Sequence, residues 1–240
     1  MTTARTLVAL ATYNEAENLP GLTEEILRVL PVADLLVVDD NSPDGSGHWC
    51  DERAADEPRL HCLHRAGKLG LGSATLEAIR WAIARDYDVF VTMDADWSHD
   101  PAHLPALVAA TEQADVAIGS RYVAGGAIDG WPRHRRLLSR LVNGLSRKLL
   151  RLPIHDTSGA FRAYRVAKLR ELDLDRIRAT GYAYLEEMLW HLARNDAHFI
   201  EVPITFHERR AGRSKISFRE AAAKIATLAR LCRRSLAEIR

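Results

Sequence analysis

The sequence predicts an α/β fold, a single domain built on a mostly parallel central sheet flanked by helices. Three observations predict it. Short apolar runs alternate with segments of helical periodicity through the first half of the chain. The helical segments run to about ten to fifteen residues, the length of a right-handed crossover between parallel strands. Polar segments follow strands at 12–15, 39–44 and 94–98, and in such sheets ligands sit outside the carboxyl ends of the strands. The candidate site therefore lies at one sheet edge, where three loops converge.

Residues 6–11 read as the first strand, and 16–30 as a helix with Leu19, Leu22, Ile26, Leu27 and Leu30 on one face. A second strand, 34–39, ends in the turn-forming run Asn41-Ser42-Pro43-Asp44-Gly45. Helix 46–56, a short strand at 60–64 and helix 73–85 lead to strand 89–93, which delivers the chain into Asp94-Ala95-Asp96. Helix 103–113 and strand 115–119 complete the regular half. The second half is less regular. It holds a Gly- and Arg-rich loop over 122–136, an amphipathic helix around 137–150, a loop at 153–159 and a helix at 184–195. A strand at 199–204, a basic loop at 206–214 and a last helix over 218–239 follow. No low-complexity linker or internal repeat divides the chain.

Composition narrows the function classes. A chain of 240 residues can bury a substantial core. The formal net charge of +1 excludes a polyanion binder driven by its overall field. The basic residues are dispersed, with no aromatic stripe for stacking bases, so no nucleic-acid partner is expected. Cys50, Cys62 and Cys232 form neither a zinc motif nor a disulfide framework, which makes a reduced, cytoplasmic compartment the default. Residues 1–5 lead straight into a strand, so no signal peptide is expected. No run reaches the roughly 18 uncharged apolar residues of a membrane span. The expectation is a protein that is soluble or lies on a membrane surface.

Asp94-Ala95-Asp96 is the sharpest chemical feature. Two carboxylates one residue apart at a strand end can share a hard cation, Mg²⁺ or Mn²⁺, with the oxygens of a diphosphate. Such an ion acts as a Lewis acid toward a departing phosphate. Paired aspartates also commonly do no more than solvate a loop; the uninterrupted apolar strand before this pair favours the metal reading. Asp40 stands at the end of another strand, where a turn could present its carboxylate to a base or ribose. Arg121, Arg133, Arg135 and Arg136 could hold a phosphate through bidentate contacts, against the plain reading of Arg133–Arg136 as a solvated charge run. Gly125, Gly126 and Gly130 suggest a mobile loop approaching a ligand. His134 and His155 read as surface or hydrogen-bonding histidines.

Taken in order, Thr12-Tyr13-Asn14-Glu15, Val38-Asp39-Asp40-Asn41-Ser42-Pro43-Asp44-Gly45, Lys68-Leu69-Gly70-Leu71-Gly72 and Met93-Asp94-Ala95-Asp96 resemble the signature of family 2 glycosyltransferases with the GT-A fold. More narrowly, Gly119-Ser120-Arg121-Tyr122, Gly125-Gly126, Gly130-Trp131, Arg135, Ser139 and Asp156-Thr157-Ser158-Gly159 with Phe161-Arg162 resemble dolichyl- or polyprenyl-phosphate mannosyltransferases. So do Glu201-Val202-Pro203-Ile204 and Ser214-Lys215. The resemblance covers about residues 6–218.

That resemblance implies a nucleotide-binding half over 6–120, an acceptor-binding half over 121–216 and a C-terminal amphipathic helix over 217–240. It implies donor-nucleotide contacts at Ala11, Thr12, Tyr13, Glu15, Asp40 and Lys68, and a metal and diphosphate site at Asp94, Ala95 and Asp96. Arg121, Arg135 and Ser139 would hold the acceptor phosphate, and Arg209 and Lys215 would close on the donor. Asp94, Asp96 and Arg121 would carry the catalysis. The implied reaction is inverting transfer of mannose from GDP-mannose to a polyprenyl phosphate. Transfer of glucose from UDP and a catalytically silent nucleotide-sugar-binding module are the alternatives. The sequence departs from the family pattern at Ala11, where a proline usually stands, and at Ser98, where some members carry a metal-binding glutamine and others serine.

The implied acceptor lives in a bilayer. Phe218, Ala221, Ala222, Ile225, Leu228, Ala229, Cys232, Leu236 and Ile239 recur at helical spacing beside Lys224, Arg230, Arg233, Arg234 and Arg240. The final helix could thus lie on anionic lipid at the cytoplasmic membrane face, or pack on the domain, or leave tethering to a small membrane partner.

Overall fold

The structure, a computed structural model, describes residues 4–208 and 218–237. Seven strands form the main sheet: β1 (Thr6–Thr12), β2 (Asp34–Asp39), β3 (Leu60–His64), β4 (Val89–Asp94), β5 (Val116–Ser120), β7 (Arg162–Arg165) and β8 (Phe199–Pro203). Their order is β3-β2-β1-β4-β7-β5-β8. All neighbours run parallel except β7, which is antiparallel to both β4 and β5. A two-stranded ribbon, β6 (Ala127–Ile128) with β9 (Thr205–Phe206), stands beside the sheet.

The near-continuous apolar character of the strands has a direct cause: both faces of the sheet are covered. Along β1, Leu7 and Ala9 enter one core while Val8 and Leu10 enter the other; along β2, Leu36 and Val38 oppose Leu35 and Val37 in the same way. The first core is closed by α3 (Leu71–Ala84), α7 (Tyr184–Arg194) and α8 (Phe218–Ala237), the second by α1 (Leu19–Val29) and α4 (Leu104–Ala110). Also present are α2 (Ser46–Asp56), α5 (Arg133–Leu150) and α6 (Val166–Arg170).

The expected fold class holds, with three revisions. The first helix begins at Leu19 rather than 16, because Pro20 is tolerated only in a first turn. The helix expected from 137 begins at Arg133, directly after Pro132, so Arg133–Arg136 form a helical turn and not the end of a loop. The third is β7, which no pattern in the sequence announced. Its Arg162 is fully buried in mid-sheet, where it donates to the carbonyls of Leu185 and Thr157, each at 2.8 Å. An arginine inside a strand reads as an exposed residue until those carbonyls are in place.

The described side chains of α8 take the packed reading. Leu228 and Leu231 are buried, Lys224 pairs with Glu186 at 2.5 Å, and Arg230 pairs with Glu187 at 2.8 Å. The Trp190 indole N–H donates to Ser235 Oγ at 2.9 Å. Glu187 in turn accepts from the backbone N–H groups of Arg178 and Ala179. The segment it holds then accepts, at Thr180 O, from Gly72 N at 2.7 Å. A Cβ on Gly72 would lie 2.5 Å from Tyr184 Cβ and 2.6 Å from Ala179 O. Gly72→Ala is therefore expected to destabilise the protein by about 1–3 kcal/mol, the usual cost of overpacking, as a lowered midpoint in urea unfolding with an unchanged slope.

Candidate active site

Strand register brings the site together. Thr12 pairs with Asp39 across β1 and β2, and Ala11 with Asp94 across β1 and β4, so three strands end at one level. The loops that leave them line a pocket formed by Ala11, Thr12, Tyr13, Glu15, Asp40, Lys68, Asp94, Ala95 and Asp96 together with residues 70, 71, 74, 181 and 182. Every donor-side residue expected from the sequence within the described chain is thus in one cavity. Arg209 and Lys215 lie outside the described residues.

The turn after β2 shapes the loop before it. Three successive backbone N–H groups, of Asn14, Glu15 and Ala16, donate to Ser42 Oγ (3.0 Å), Ser46 Oγ (2.9 Å) and Asp44 Oδ2 (2.9 Å). Burial opposes ionisation of Asp44, but the bonds from Ser46 and Ala16 hold its carboxyl below its usual range. Asp39 accepts from Thr12 Oγ1 and from the backbone and hydroxyl of Ser42. Asn14, Asn41 and Trp97, one residue in each of the three loops, sit in the left-handed region at φ 58°, 57° and 63°. Asparagine tolerates that conformation. Tryptophan rarely does, and strain of this kind gathers at functional sites.

Asp40 faces the pocket with both oxygens already engaged. It pairs with the buried Arg65 and accepts from the N–H groups of Leu69 and Gly70, fixing the loop that carries Lys68. The Lys68 ammonium lies over the Tyr13 ring, 4.1 Å from its centre. Arg65 was not anticipated, because nothing in its neighbourhood of sequence identifies a partner 25 residues away.

Asp94 and Asp96 are held from behind. The Asp94 N–H donates to Nδ1 of His99 at 3.0 Å, and Asp96 Oδ1 accepts from Ser98 N at 3.1 Å. His99 is wholly buried, stacked on Phe161 with ring centres 5.0 Å apart and edge-on to Phe206 at 5.5 Å. Burial lowers its pKa to about 4 against the pull of Asp96. A neutral ring accepting at Nδ1 carries its proton on Nε2. The buried Ser98 hydroxyl has no hydrogen-bond partner among the described residues, an oxygen donor two positions from Asp96. Sequence reasoning missed His99; its place three residues beyond the acidic pair was the available signal.

Arg121 is buried beside this loop. Its Nε and one Nη grip the Asp156 carboxylate at 2.7 Å each, the same Nη reaches Ser158 Oγ at 2.9 Å, and the backbone N–H closes on Asp156 at 3.1 Å. Burial works against its charge, Asp156 outweighs that, and Asp94 adds to the same effect, so Arg121 and the acidic loop share one electrostatic neighbourhood. The guanidinium also faces the rings of Tyr122 and Phe206, 5.2 Å from each centre. Arg135 stacks on Trp131 at 3.9 Å and pairs with Glu208 at 3.1 Å, while Ser139 Oγ meets the Tyr122 hydroxyl at 2.6 Å. Asn143, also unanticipated, clamps the 156–158 loop: its Oδ1 accepts from Thr157 N, Thr157 Oγ1 and Ser158 N, and its Nδ2 reaches Ser158 Oγ.

Two of the glycines near this loop have a steric reason of their own. A Cβ on Gly126 would stand 2.6 Å from Ser120 O, and one on Gly130 would stand 2.8 Å from Glu208 Cβ. His155 hydrogen-bonds Glu201 at 2.8 Å, as the surface reading has it.

Fold and pocket define a doubly wound α/β protein with an acidic pocket at the carboxyl edge of its sheet. The chain belongs to glycosyl transferase family 2, whose model matches residues 7–173. It is 46% identical over 213 residues to the undecaprenyl-phosphate mannosyltransferase of Micrococcus luteus, covering 89% of this chain and 88% of that one. It is 46% identical over 229 residues to the polyprenol monophosphomannose synthase of Mycolicibacterium smegmatis, covering 93% and 86%. Among solved structures, glucosyl-3-phosphoglycerate synthase from Mycobacterium tuberculosis, with Mn²⁺, UDP and glucosyl-3-phosphoglycerate, superposes with a TM-score of 0.66 at 21% identity over 95% of this chain and 80% of that one. A Pyrobaculum calidifontis mannosyltransferase in complex with GDP-mannose and Mn²⁺ gives 0.61 at 20% identity over 96% and 65%. At such identities the structural likenesses establish the fold, which is the expected GT-A architecture.

Asp156 is expected to matter for stability as well as for geometry. Burial raises its pKa, but Arg121 outweighs burial and holds it below the usual range. A depressed folded-state pKa contributes stability above the unfolded value of about 4, lost as pH falls below it. Asp156→Ala leaves the Arg121 charge buried and unpaired, at a cost of about 3–5 kcal/mol. Urea unfolding as a function of pH should show that loss at neutrality and a flatter acid limb below about pH 4 in the variant.

Proposed function

We propose that this glycosyltransferase moves mannose from GDP-mannose to a polyprenyl phosphate, with inversion at the anomeric carbon. The observation that carries the reading is the acidic pair Asp94 and Asp96 in the pocket at the sheet edge, with the Arg121 guanidinium near enough to feel the Asp94 charge. Transfer between a diphosphate leaving group and a phosphate nucleophile needs both charges offset within the span of one sugar. The choice of mannose and of a lipid phosphate follows the two relatives at 46% identity, whose names carry both.

The chemistry asks little of the chain as a base. A phosphate monoester with its second pKa near about 6 is already ionised at neutral pH, so its oxygen can attack the anomeric carbon without a proton acceptor. What it needs is position and charge compensation, for which Arg121, Arg135 and Ser139 are the candidate groups. On the other side, Thr12, Tyr13, Glu15, Asp40 and Lys68 line the part of the pocket suited to the nucleoside. Asp94 and Asp96, with the Ser98 hydroxyl in reserve, offer the hard oxygen donors that Mg²⁺ or Mn²⁺ prefers. When bound there, a divalent ion would stabilise the charge that develops on the departing GDP. The neutral His99 ring holds the Asp94 backbone in place without adding charge. With a lipid acceptor the enzyme works as a peripheral protein at the membrane surface; no helix of the described residues is long and apolar enough to cross a membrane.

Calorimetric titration in the presence of Mn²⁺ should show GDP-mannose binding at least about tenfold tighter than UDP-glucose, a difference of roughly 1.4 kcal/mol. Asp96→Ala should abolish mannose transfer to polyprenyl phosphate, and near-normal turnover at saturating Mg²⁺ or Mn²⁺ would remove the metal from the mechanism. Arg135 is partly exposed and can be altered without disturbing the core. Arg135→Ala should raise the KM for the lipid phosphate severalfold at unchanged GDP-mannose affinity; equal loss of both would move this residue to the donor side.

A further inference from the structure

Of the large apolar side chains that the described residues leave exposed, five stand on α5: Leu137, Leu138, Leu141, Leu145 and Leu149, each between 42% and 62% exposed. The others, Val32, Leu69 and Ile225, are scattered one to an element or loop. At 3.6 residues per turn Leu138, Leu141, Leu145 and Leu149 share one side of the helix. Asn143, Ser146 and Leu150 occupy another side and are buried. This amphipathicity is inverted. A helix that packs on a core ordinarily turns its leucines inward, whereas α5 turns in Asn143 to clamp the 156–158 loop and leaves five of its six leucines outside.

The charge on the helix is one-sided too. Arg133, Arg135, Arg136, Arg140, Arg147 and Lys148 all lie on α5, which contains no acidic residue. Arg140 and Lys148 are exposed beside the leucines. We propose that this face of α5 rests on an anionic lipid bilayer, with the leucines among the acyl chains and the basic flank at the headgroups. A second copy of the chain is the poorer occupant, because two-fold pairing would set two wholly basic helices against each other.

The placement gives the surface a use. It rests on the lipid-phosphate reading for its purpose, and on the exposed face alone for its evidence. Arg135 and Ser139 belong to the first two turns of α5, and Asn143 bonds Ser158, which also accepts from Arg121. The helix whose outer face touches lipid therefore carries candidate acceptor-phosphate groups on its inner side. A phosphate whose chain stays in the bilayer reaches them at headgroup level, with no need to extract the chain. Lys224 and Arg230 of α8, by contrast, are committed to Glu186 and Glu187.

Flotation of the full-length protein with phosphatidylcholine vesicles, with and without phosphatidylglycerol, tests this directly. The wild type should float with the anionic vesicles. Leu141→Gln/Leu145→Gln should lower the partition coefficient about tenfold or more, since each buried leucine carries much of the transfer energy. Arg140→Gln/Lys148→Gln should lose binding to the anionic vesicles selectively, and Ile225→Gln on α8 should bind as wild type. Unchanged GDP-mannose affinity verifies that each variant is folded. Wild-type partitioning by the leucine variant would overturn the proposal. So would a dimeric wild type without vesicle binding that this variant converts to a monomer, which would make the face a contact between copies. Flotation uses no acceptor, so absence of mannose transfer would count against the reaction alone. Lost flotation by the wild type, with transfer to detergent-dispersed acceptor intact, would count against the membrane face alone.

Discussion

The structure depends on the alignment of three strand ends. Because Thr12 meets Asp39 and Ala11 meets Asp94 in register, the chain leaves β1, β2 and β4 at one height and must turn there three times. Parallel pairing makes this a strict constraint: a one-residue slip would turn every buried side chain of a strand to the opposite face, and here both faces are packed. The pocket is the space that three turning loops leave between them, so its floor is as rigid as the sheet. Its shape is then decided by how each loop is tied.

Most of the acids near the site are structural fasteners. Asp39, Asp40, Asp44 and Asp156 each accept several hydrogen bonds from neighbouring loops. Asp40 holds the Lys68 loop, Asp44 holds the loop after β1, and Asp156 holds Arg121. The pair Asp94 and Asp96 is supported differently, through the backbone N–H of Asp94 and one oxygen of Asp96, while both side chains line the cavity. The acids of this edge are thus divided between carboxylates that fasten loops and two that line the cavity.

The second half of the chain supplies the counterpart. Antiparallel β7, with its buried Arg162, carries the chain back between β4 and β5 and so brings the 156–159 loop to the same edge as the acidic pair. Asn143 then joins α5 to that loop. This helix turns Asn143 and Ser146 inward and leaves most of its leucines outward, which separates α5 from the helices that cover the two cores.

Local pattern and motif order in the sequence were enough to anticipate the alternating first half and the residues that gather in one pocket at the carboxyl edge. Those elements repeat every thirty residues or so, each strand is buried on both faces, and the residues of one loop lie next to one another in the chain. What only the tertiary structure decided are the partnerships made across long separations: Arg65 with Asp40, Arg121 with Asp156, Asn143 with Thr157 and Ser158, and His99 between Phe161 and Phe206. The same holds for β7, whose arginines look solvated until carbonyls enclose one of them, and for α5, whose leucines look like core until Asn143 takes the inward side. A sequence displays the periodicity of a segment. Which of its faces is buried depends on partners distant in the chain, and here hydrogen bonding decided it for β7 and for α5.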